Sequence, residues 1–200
     1  MSTHIAFVRH GNHVNNVLTQ EARADAIQLG KDLRNAGFLI EDCVSSPLGR
    51  TVETGLCIMQ GNGEVKLMET NCDLGDISSD RKLPTDFMSR WKMLSQEKFG
   101  DTSDVNLAKT MFMFDEFHDQ MLRRAKEGAS VLRNLNVARP YATILVVSHA
   151  IARMEISLRE LRGEKSVLNI PEDEIFGKGG CAIVEMDCGK VLNVWRVVKS

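Results

Sequence analysis

The sequence lacks an excess of either charge. Its 200 residues include 25 basic and 27 acidic side chains, which gives a formal net charge of -2 at pH 7. A chain this close to neutrality has no overall attraction for the polyanionic backbone of DNA or RNA. Nucleic acid is therefore not expected as a partner, and any anion-binding site must come from a local group of basic residues.

Cysteine is scarce, and its spacing shows no pairing. The sequence contains no C-x-x-C pair, and an odd number of cysteines cannot all be joined within one chain. The five are Cys43, Cys57, Cys72, Cys181 and Cys188. Reduced thiols are the simplest interpretation, and they favour a cytoplasmic location.

Long apolar runs are also missing. Residues 1–4 do not form a basic region followed by an apolar stretch, as a secretion signal would. The strand-length run at residues 142–147 is far too short to cross a bilayer. We expect neither secretion nor membrane insertion.

No signature for a metal or a nucleotide is present. The sequence has no H-x-x-x-H or H-E-x-x-H string and no cysteine cluster with ligand spacing. The glycine-rich stretch at residues 177–180 precedes a predicted strand instead of following one, so we interpret it as a turn. We therefore expect a function that needs no metal and no cofactor.

The sequence does contain short apolar runs, and these alternate with segments whose apolar residues recur at helical spacing. With 43% apolar residues, residues 1–200 are predicted to form one domain. Strands are predicted at 4–8, 42–45, 65–68, 141–147, 181–186 and 191–198. Helices are predicted at 20–36, after Pro47, and at 85–99, 106–134 and 150–161. This alternation predicts a three-layer α/β/α fold with a mostly parallel central sheet, and the segment at about 70–110 is interpreted as a helical lid.

Two histidines and two arginines follow the ends of predicted strands. Arg9 and His10 end the first strand, Arg50 lies one turn into the helix after the second, and His149 follows the strand at 141–147. The carboxyl ends of parallel strands meet at one edge of a sheet, where ligands bind. Nearby guanidinium groups disfavour the cationic form of an imidazole and so keep it nucleophilic. His10 is thus predicted to accept a phosphoryl group.

Taken together, these strings resemble the histidine phosphatase superfamily, in its phosphoglycerate-mutase-like branch. The resemblance rests on Val-Arg-His-Gly at residues 8–11, Ser-Ser-Pro at 45–47 with Arg-Thr at 50–51, and Val-Ser-His-Ala at 147–150. It implies that His10 attacks phosphorus, while Arg9, Arg50 and His149 bind the equatorial phosphoryl oxygens.

The same resemblance suggests which residues bind the substrate. Asn16 matches an asparagine that commonly follows in the first loop, and it implies a neutral hydrogen bond. His13 lies in that loop and is placed to touch substrate. Ala150 stands directly after His149, where other branches have an aspartate, and we count it with the substrate-binding residues.

The proton donor for the leaving oxygen is the least regular part of the pattern. The resemblance implies a glutamate in a Leu-x-Glu string, with a glycine four residues after the acid. Glu69 completes such a string, but the next glycine is Gly75, and counting back from it gives Asn71, which cannot deliver a proton. Glu69 is our first choice for the general acid, Asp73 the second and Asp76 the third.

Three functions follow as hypotheses. The leading one is a phosphomonoester hydrolase, acting through a phosphohistidine on a small phosphorylated metabolite or a phosphoprotein. The second is a phosphoglycerate-type phosphomutase, although Asn12 and His13 stand where mutases tend to have a glutamate and a small hydroxyl residue. The third is a catalytically weak phosphate-binding module, suggested by Asn71 at the acid position.

Overall fold

The computed structural model describes residues 2–63, 66, 68–76, 84–149, 154–164, 170 and 175–197. Within these residues the strands are β1 (Thr3–Arg9), β2 (His13–Val14), β3 (Val17–Leu18), β4 (Asp42–Ser45), β5 (Met68–Thr70), β6 (Thr143–Ser148), β7 (Cys181–Asp187) and β8 (Lys190–Val197). The helices are α1 (Gln20–Asn35), α2 (Gly49–Asn62), α3 (Phe87–Phe99), α4 (Asp104–Met113), α5 (His118–Ala138) and α6 (Met154–Leu161). Short 3₁₀ turns occur at Cys72–Leu74 and Asp115–Phe117.

Six of the strands form one mixed sheet in the order β5-β4-β6-β1-β7-β8. The first four of these run parallel, while β7 and β8 are antiparallel to their neighbours. Arg9 pairs with Ser148, and Ser45 pairs with Val147. This register brings the ends of β1, β4 and β6 side by side, so the residues that follow them share one edge of the sheet.

Helices pack on both faces of this sheet. Alternate side chains of β1 point in opposite directions, as strand geometry requires. Ile5 and Phe7 join the core beneath α5 and α6, whereas Ala6 and Val8 join the core beneath α1 and α2. All four are fully buried. The predicted three-layer α/β/α architecture is therefore confirmed.

Helix α1 begins and ends where local chemistry requires. The Thr19 side chain accepts a hydrogen bond from the backbone N–H of Ala22, which caps the first turn. The buried positions, which include Ala26 and Leu33, recur at helical spacing. Gly37 follows with a φ of 89°, a conformation that glycine adopts without steric cost. The predicted helix at 20–36 is confirmed to within one residue.

Helix α1 packs unusually closely against α2, the helix that carries Arg50. A Cβ atom added to Gly61 would lie 1.9 Å from the carbonyl oxygen of Ile27, and one added to Gly30 would lie 2.0 Å from that of Ile58. Only glycine permits this approach of the two backbones. The contact fixes α2 relative to α1, and Arg50 lies in the first turn of α2.

Three predicted segments differ from the observed elements. The strand predicted at 65–68 is observed as β5, over Met68–Thr70. The predicted helix at 106–134 is interrupted, because Phe114 is extended and begins the 3₁₀ turn that separates α4 from α5. The ring of Phe117 packs edge-on against Phe87 at 5.0 Å between centroids, so the interruption serves an aromatic cluster. The loop after β1 forms the β2–β3 hairpin, which was not predicted.

Other predictions fall partly outside the described residues. Positions 65 and 67 of the predicted third strand, 150–153 of the last helix and 198 of the last strand are among these. So are residues 77–83 of the segment interpreted as a lid. The lid and the single domain over residues 1–200 stay predictions.

Candidate active site

His10 lies directly after β1 and is almost fully buried. Its backbone N–H donates to the carbonyl oxygen of Ser148 at 3.1 Å, which anchors the residue to the end of β6. Its Nδ1 atom lies 2.8 Å from the carbonyl oxygen of Gly11. Because a carbonyl oxygen only accepts, the ring proton belongs on Nδ1, which leaves a lone pair on Nε2. That Nε2 atom accepts a hydrogen bond from Nε of Arg50 at 3.2 Å.

The surroundings of His10 favour its neutral form. The pKa of the imidazole is lowered from 6.5 to about 4, chiefly by burial, and the charges of Arg50 and Arg9 act in the same direction. The hydrogen bond to Gly11 opposes this shift. At neutral pH the ring therefore carries no charge, and its Nε2 lone pair is available for attack.

Arg50 connects the parts of the site. It lies in the first turn of α2 and is buried. Besides the bond to His10, one terminal nitrogen donates to the side-chain oxygen of Asn16 and the other donates to the carboxylate of Asp76. The latter nitrogen also lies 3.4 Å from Nδ1 of His149. One guanidinium group thus contacts four residues from three segments of the chain.

The β2–β3 hairpin positions Asn16 for its contact with Arg50. Asn15 and Asn16 form the turn with φ values of 48° and 65°, and asparagine tolerates this left-handed region better than most residues. The backbone oxygen of Asn16 lies close to Gly49, where an added Cβ would be 3.1 Å away. The predicted substrate-binding residue therefore reaches the site and binds Arg50.

His149 lies beside His10 at the end of β6. The two ring centroids are 5.0 Å apart, and Nε2 of His149 lies 2.9 Å from the hydroxyl oxygen of Ser46. Its Nδ1 atom is 3.6 Å from the carboxylate of Asp76. Burial holds the pKa of this imidazole well below its usual value, although the Asp76 carboxylate acts in the opposite direction.

Arg9 is also buried, and its side chain is bound by the segment before β7. Its guanidinium donates to the carbonyl oxygen of Phe176 at 2.6 Å. Its backbone N–H donates to the carbonyl oxygen of Gly180 at 2.9 Å, which ties the end of β1 to the segment before β7. The charge of Arg9 contributes to the low pKa of His10.

His13 approaches His10 from the hairpin. The ring centroids are 5.2 Å apart, and His13 is half-buried. Burial lowers its pKa, as do the charges of Arg50 and Lys178. Its Nδ1 atom is buried and makes no hydrogen bond to the part of the chain that the structure describes. His13 therefore lies beside His10, the predicted nucleophile.

The structure does not bring Glu69, the first choice for the general acid, to this cluster. The Glu69 carboxylate is 64% exposed and lies 2.8 Å from the Arg139 guanidinium, which also binds Asp42. Asp42 begins β4, whereas the cluster lies beyond the end of that strand. Glu69 lies on the edge strand β5, and its side chain pairs with Arg139 near the beginning of β4 instead of reaching the strand ends.

The second choice for the acid does not reach the cluster either, whereas the third does. Asp73 is exposed, and its backbone N–H binds the side-chain oxygen of Asn71 at 2.8 Å. Asp76 lies further along this segment, and its carboxylate contacts both Arg50 and His149. Among the described residues, Asp76 is the carboxylate that joins both groups.

Sequence reasoning missed two residues that contact the site. Ser46 was part of a motif but had no assigned role, and its hydroxyl now lies against His149. Arg124 on α5 is 2% exposed and donates to the carbonyl oxygen of Gly75. A signal existed for Arg124, because it occupies the same helical face as the buried residues Met121 and Gly128.

Ala150, predicted to bind substrate, lies outside the described residues. Across the described ranges, no group of three or more His, Cys, Asp and Glu side chains is arranged to hold a metal ion. Nor does any helix in those ranges have the length and apolarity required to cross a membrane.

The fold and the cluster of histidines and arginines define a class of protein. The Histidine phosphatase superfamily (branch 1) matches residues 5–165, and the chain belongs to this family. The predicted resemblance is therefore confirmed. No curated protein sequence matches the chain.

Solved structures of the same fold have low sequence identity to this chain. A phosphoglycerate mutase from Bacillus anthracis str. Sterne is similar with a TM-score of 0.65 and 16% identity, over 98% of this chain and 92% of that one. Phosphoserine phosphatase from Entamoeba histolytica, in complex with 3-phosphoglyceric acid, has a TM-score of 0.62 and 17% identity, over 96% of each chain. A mycobacterial glucosyl-3-phosphoglycerate phosphatase has a TM-score of 0.56 and 15% identity, over 99% and 98%. The phosphoglycerate-mutase-like fold is thus shared.

Proposed function

We propose that the protein is a phosphomonoester hydrolase that works without a metal ion, through a phosphohistidine on His10. The observation that carries the proposal is the state of the His10 ring. Its proton is held on Nδ1 by Gly11, and its unprotonated Nε2 faces the guanidinium of Arg50 at 3.2 Å. A neutral imidazole next to a cation is suited to attack a phosphoryl group that the cation binds.

The same cluster supplies the charges that bind phosphoryl oxygens. Arg50 is placed to contact oxygens next to His10, and His149 adds a ring nitrogen on the adjacent side. Arg9 contributes a second buried positive charge. Phosphoryl transfer is catalysed mainly by positioning and by electrostatic stabilisation, and guanidinium groups match phosphate oxygens in geometry.

Asp76 takes the role of general acid in this proposal. In the first step Nε2 of His10 bonds to phosphorus, the bond from phosphorus to the ester oxygen breaks, and Asp76 gives its proton to that oxygen. In the second step water attacks phosphorus, the bond to Nε2 breaks, and the Asp76 carboxylate takes a proton from the water. The negative charge of an incoming phosphoryl group favours the protonated carboxyl that the first step needs.

The proposed substrate is a small phosphorylated metabolite or a phosphoprotein, handled in the cytoplasm. The similar structures support the metabolite in particular, since one is a phosphoserine phosphatase and another a glucosyl-3-phosphoglycerate phosphatase. His13, whose ring centroid lies 5.2 Å from that of His10, is proposed to contact the substrate. Asn16 holds Arg50 in place for the phosphoryl group.

Two other functions have support from specific observations. A phosphomutase is supported by the similarity to a phosphoglycerate mutase. A weakly catalytic phosphate-binding module is supported by Asn71, an amide at the position counted for the acid, whose side chain caps the 3₁₀ turn at Cys72–Leu74. The product of turnover separates a mutase from the hydrolase, and the absence of turnover identifies a binding module.

The test combines a trapping experiment with product analysis. The purified protein is mixed with para-nitrophenyl phosphate or 3-phosphoglycerate carrying ³²P and quenched in alkali, which preserves phosphohistidine. A hydrolase gives a labelled protein and free phosphate, and H10A gives neither. Label that moves to another position of phosphoglycerate identifies a mutase. Phosphate binding without label or turnover would overturn the hydrolase proposal.

A further inference from the structure

A buried arginine outside the phosphate-binding motifs lies behind the segment that carries Asp76. Arg124 belongs to α5 and has the largest fully buried side chain among the described residues. Its terminal nitrogen donates to the carbonyl oxygen of Gly75, the residue directly before Asp76. A guanidinium group is costly to bury, so its presence here calls for a specific role.

The segment before Asp76 is held at three consecutive points. The side chain of Leu74 is fully buried in the core beneath α5 and α6. Its carbonyl oxygen accepts a hydrogen bond from the hydroxyl of Ser148 at 2.8 Å. The next carbonyl oxygen, that of Gly75, accepts from Arg124. Each anchor comes from a different part of the core. The residue that follows is Asp76, whose carboxylate enters the site.

These anchors also connect the segment to both histidines. Ser148 precedes His149 in the chain, and its carbonyl oxygen accepts the backbone N–H of His10. Arg124 is close enough to His149 for its charge to act on that ring. The carboxylate of Asp76 and the two imidazoles are therefore set on one connected framework.

We propose that Arg124 is a positioning residue, which fixes the Gly75 carbonyl so that the Asp76 carboxyl reaches the leaving oxygen of the substrate. This inference rests on the proposed function, because it assumes that Asp76 is the general acid. Arg124 touches neither the phosphoryl group nor the leaving group in this scheme. Its proposed effect on the leaving group passes through the position of Asp76.

The proposal predicts which substrates are hydrolysed more slowly when Arg124 is replaced. An alkyl phosphate has a poor leaving group and needs the proton from Asp76, whereas para-nitrophenyl phosphate needs little help. A displacement of a catalytic group by about 1 Å can cost about a hundredfold in rate. We expect R124M to lower kcat for an alkyl phosphate by about tenfold to a hundredfold and kcat for the aryl ester by less than about threefold.

The experiment measures kcat and KM on both esters for R124M, R124K and two reference variants. R124K keeps the charge and one donor, so it is expected to recover part of the alkyl activity. R133M is the matched control, because Arg133 lies on the same helix and donates to the carbonyl oxygen of Glu160 at 3.4 Å, outside the site. D76N sets the largest effect that loss of the acid can produce. Urea unfolding of each variant reports whether the fold is kept.

The outcomes separate the positioning role from the proposed function. Support requires a selective loss on the alkyl ester in R124M, partial recovery in R124K, and no further loss when R124M is combined with D76N. If D76N is selective but R124M and R124K slow both esters equally, the positioning role is wrong and the hydrolase proposal stands. If D76N itself shows no selectivity, Asp76 is not the general acid, and the positioning role of Arg124 is wrong as well. Should R124M fail to fold, the decision rests on R124K and on S148A, which removes the hydrogen bond to the Leu74 carbonyl oxygen. The quantity compared is again the ratio of kcat on the alkyl ester to kcat on the aryl ester.

Discussion

The Nδ1 atom of His10 lies 2.8 Å from the carbonyl oxygen of Gly11, so a backbone acceptor only one residue away fixes which nitrogen carries the proton. The other nitrogen then faces Arg50, which donates to it. The contact with Gly11 orients the ring so that its reactive nitrogen faces the buried cation.

This relationship predicts the site of phosphorylation on the ring. Because Nδ1 is protonated and bonded to Gly11, the phosphoryl group should attach to Nε2 of His10. ³¹P–¹⁵N coupling in the trapped phosphoprotein, with ¹⁵N-labelled histidine, distinguishes the two nitrogens. A phosphoryl group on Nδ1 would mean that the hydrogen bond to Gly11 does not govern the reaction.

The low pKa of His10 predicts a pH-dependent contribution to stability. In the unfolded chain this ring binds a proton below about pH 6.5, whereas in the folded protein it does so only below about pH 4. Between these values the unfolded state binds more protons, so stability rises with pH and is lost as the pH falls from 6.5 to 4. A difference of this size corresponds to about 3 kcal/mol.

The measurement is the free energy of urea unfolding at several pH values between 4.5 and 7, for the wild-type protein and H10A. Titrating groups other than His10 and its coupled neighbour His149 are shared by the two proteins, so the difference between their unfolding free energies reports on the His10 site. We expect the wild type to gain stability relative to H10A as the pH rises through this window. A difference independent of pH would contradict the buried, neutral ring.

Replacement of Asp76 should separate chemistry from binding. We expect D76N to lower turnover of an alkyl phosphate by about a hundredfold or more, with a much smaller loss on para-nitrophenyl phosphate. We also expect tighter binding of inorganic phosphate, because the carboxylate no longer competes for Arg50 and His149. Steady-state kinetics and calorimetric titration check these two effects.

E69Q is the control for that variant. Glu69 pairs with Arg139 at the other end of the sheet, so its replacement should change neither turnover nor phosphate affinity. If E69Q instead abolished alkyl ester hydrolysis while D76N kept it, the acid would be Glu69.

The contact between α1 and α2 predicts a stability effect away from the chemistry. In G61A the added methyl group would meet the carbonyl oxygen of Ile27, so the helices must separate. Overpacking of this kind costs about 1–3 kcal/mol. G177A is the control, since an added Cβ there has open space. Urea unfolding should show a loss for G61A and little change for G177A, and equal stabilities would contradict the close packing.

Most of the fold could be predicted because its signals are local. The apolar runs that form β1 and β6 are continuous, and α1 has a cap, a periodic apolar face and a terminating glycine. The break at Phe114 could not be predicted, because helical periodicity continues through it and the aromatic contacts that favour it come from α3. The β2–β3 hairpin has strands of two residues each, too short for a pattern to develop.

The site could be predicted to the extent that it depends on strand ends. His10, Arg50 and His149 follow strands whose ends must meet in a parallel sheet, so their proximity follows from topology. The position of the carboxylate depends instead on the path of the segment before Asp76. That path is set by hydrogen bonds from Ser148 and Arg124, which lie far away in the sequence. Counting residues to Gly75 could not reveal them.

A crystal structure of the protein with orthovanadate tests the central claim most directly, that His10, Arg50, His149 and Arg9 surround one phosphoryl group. We expect vanadium bonded to Nε2 of His10, its equatorial oxygens on Arg50 and His149, and the Asp76 carboxyl displaced from Arg50. Vanadate bound away from His10, or held by the arginines with no bond to Nε2, would contradict the mechanism.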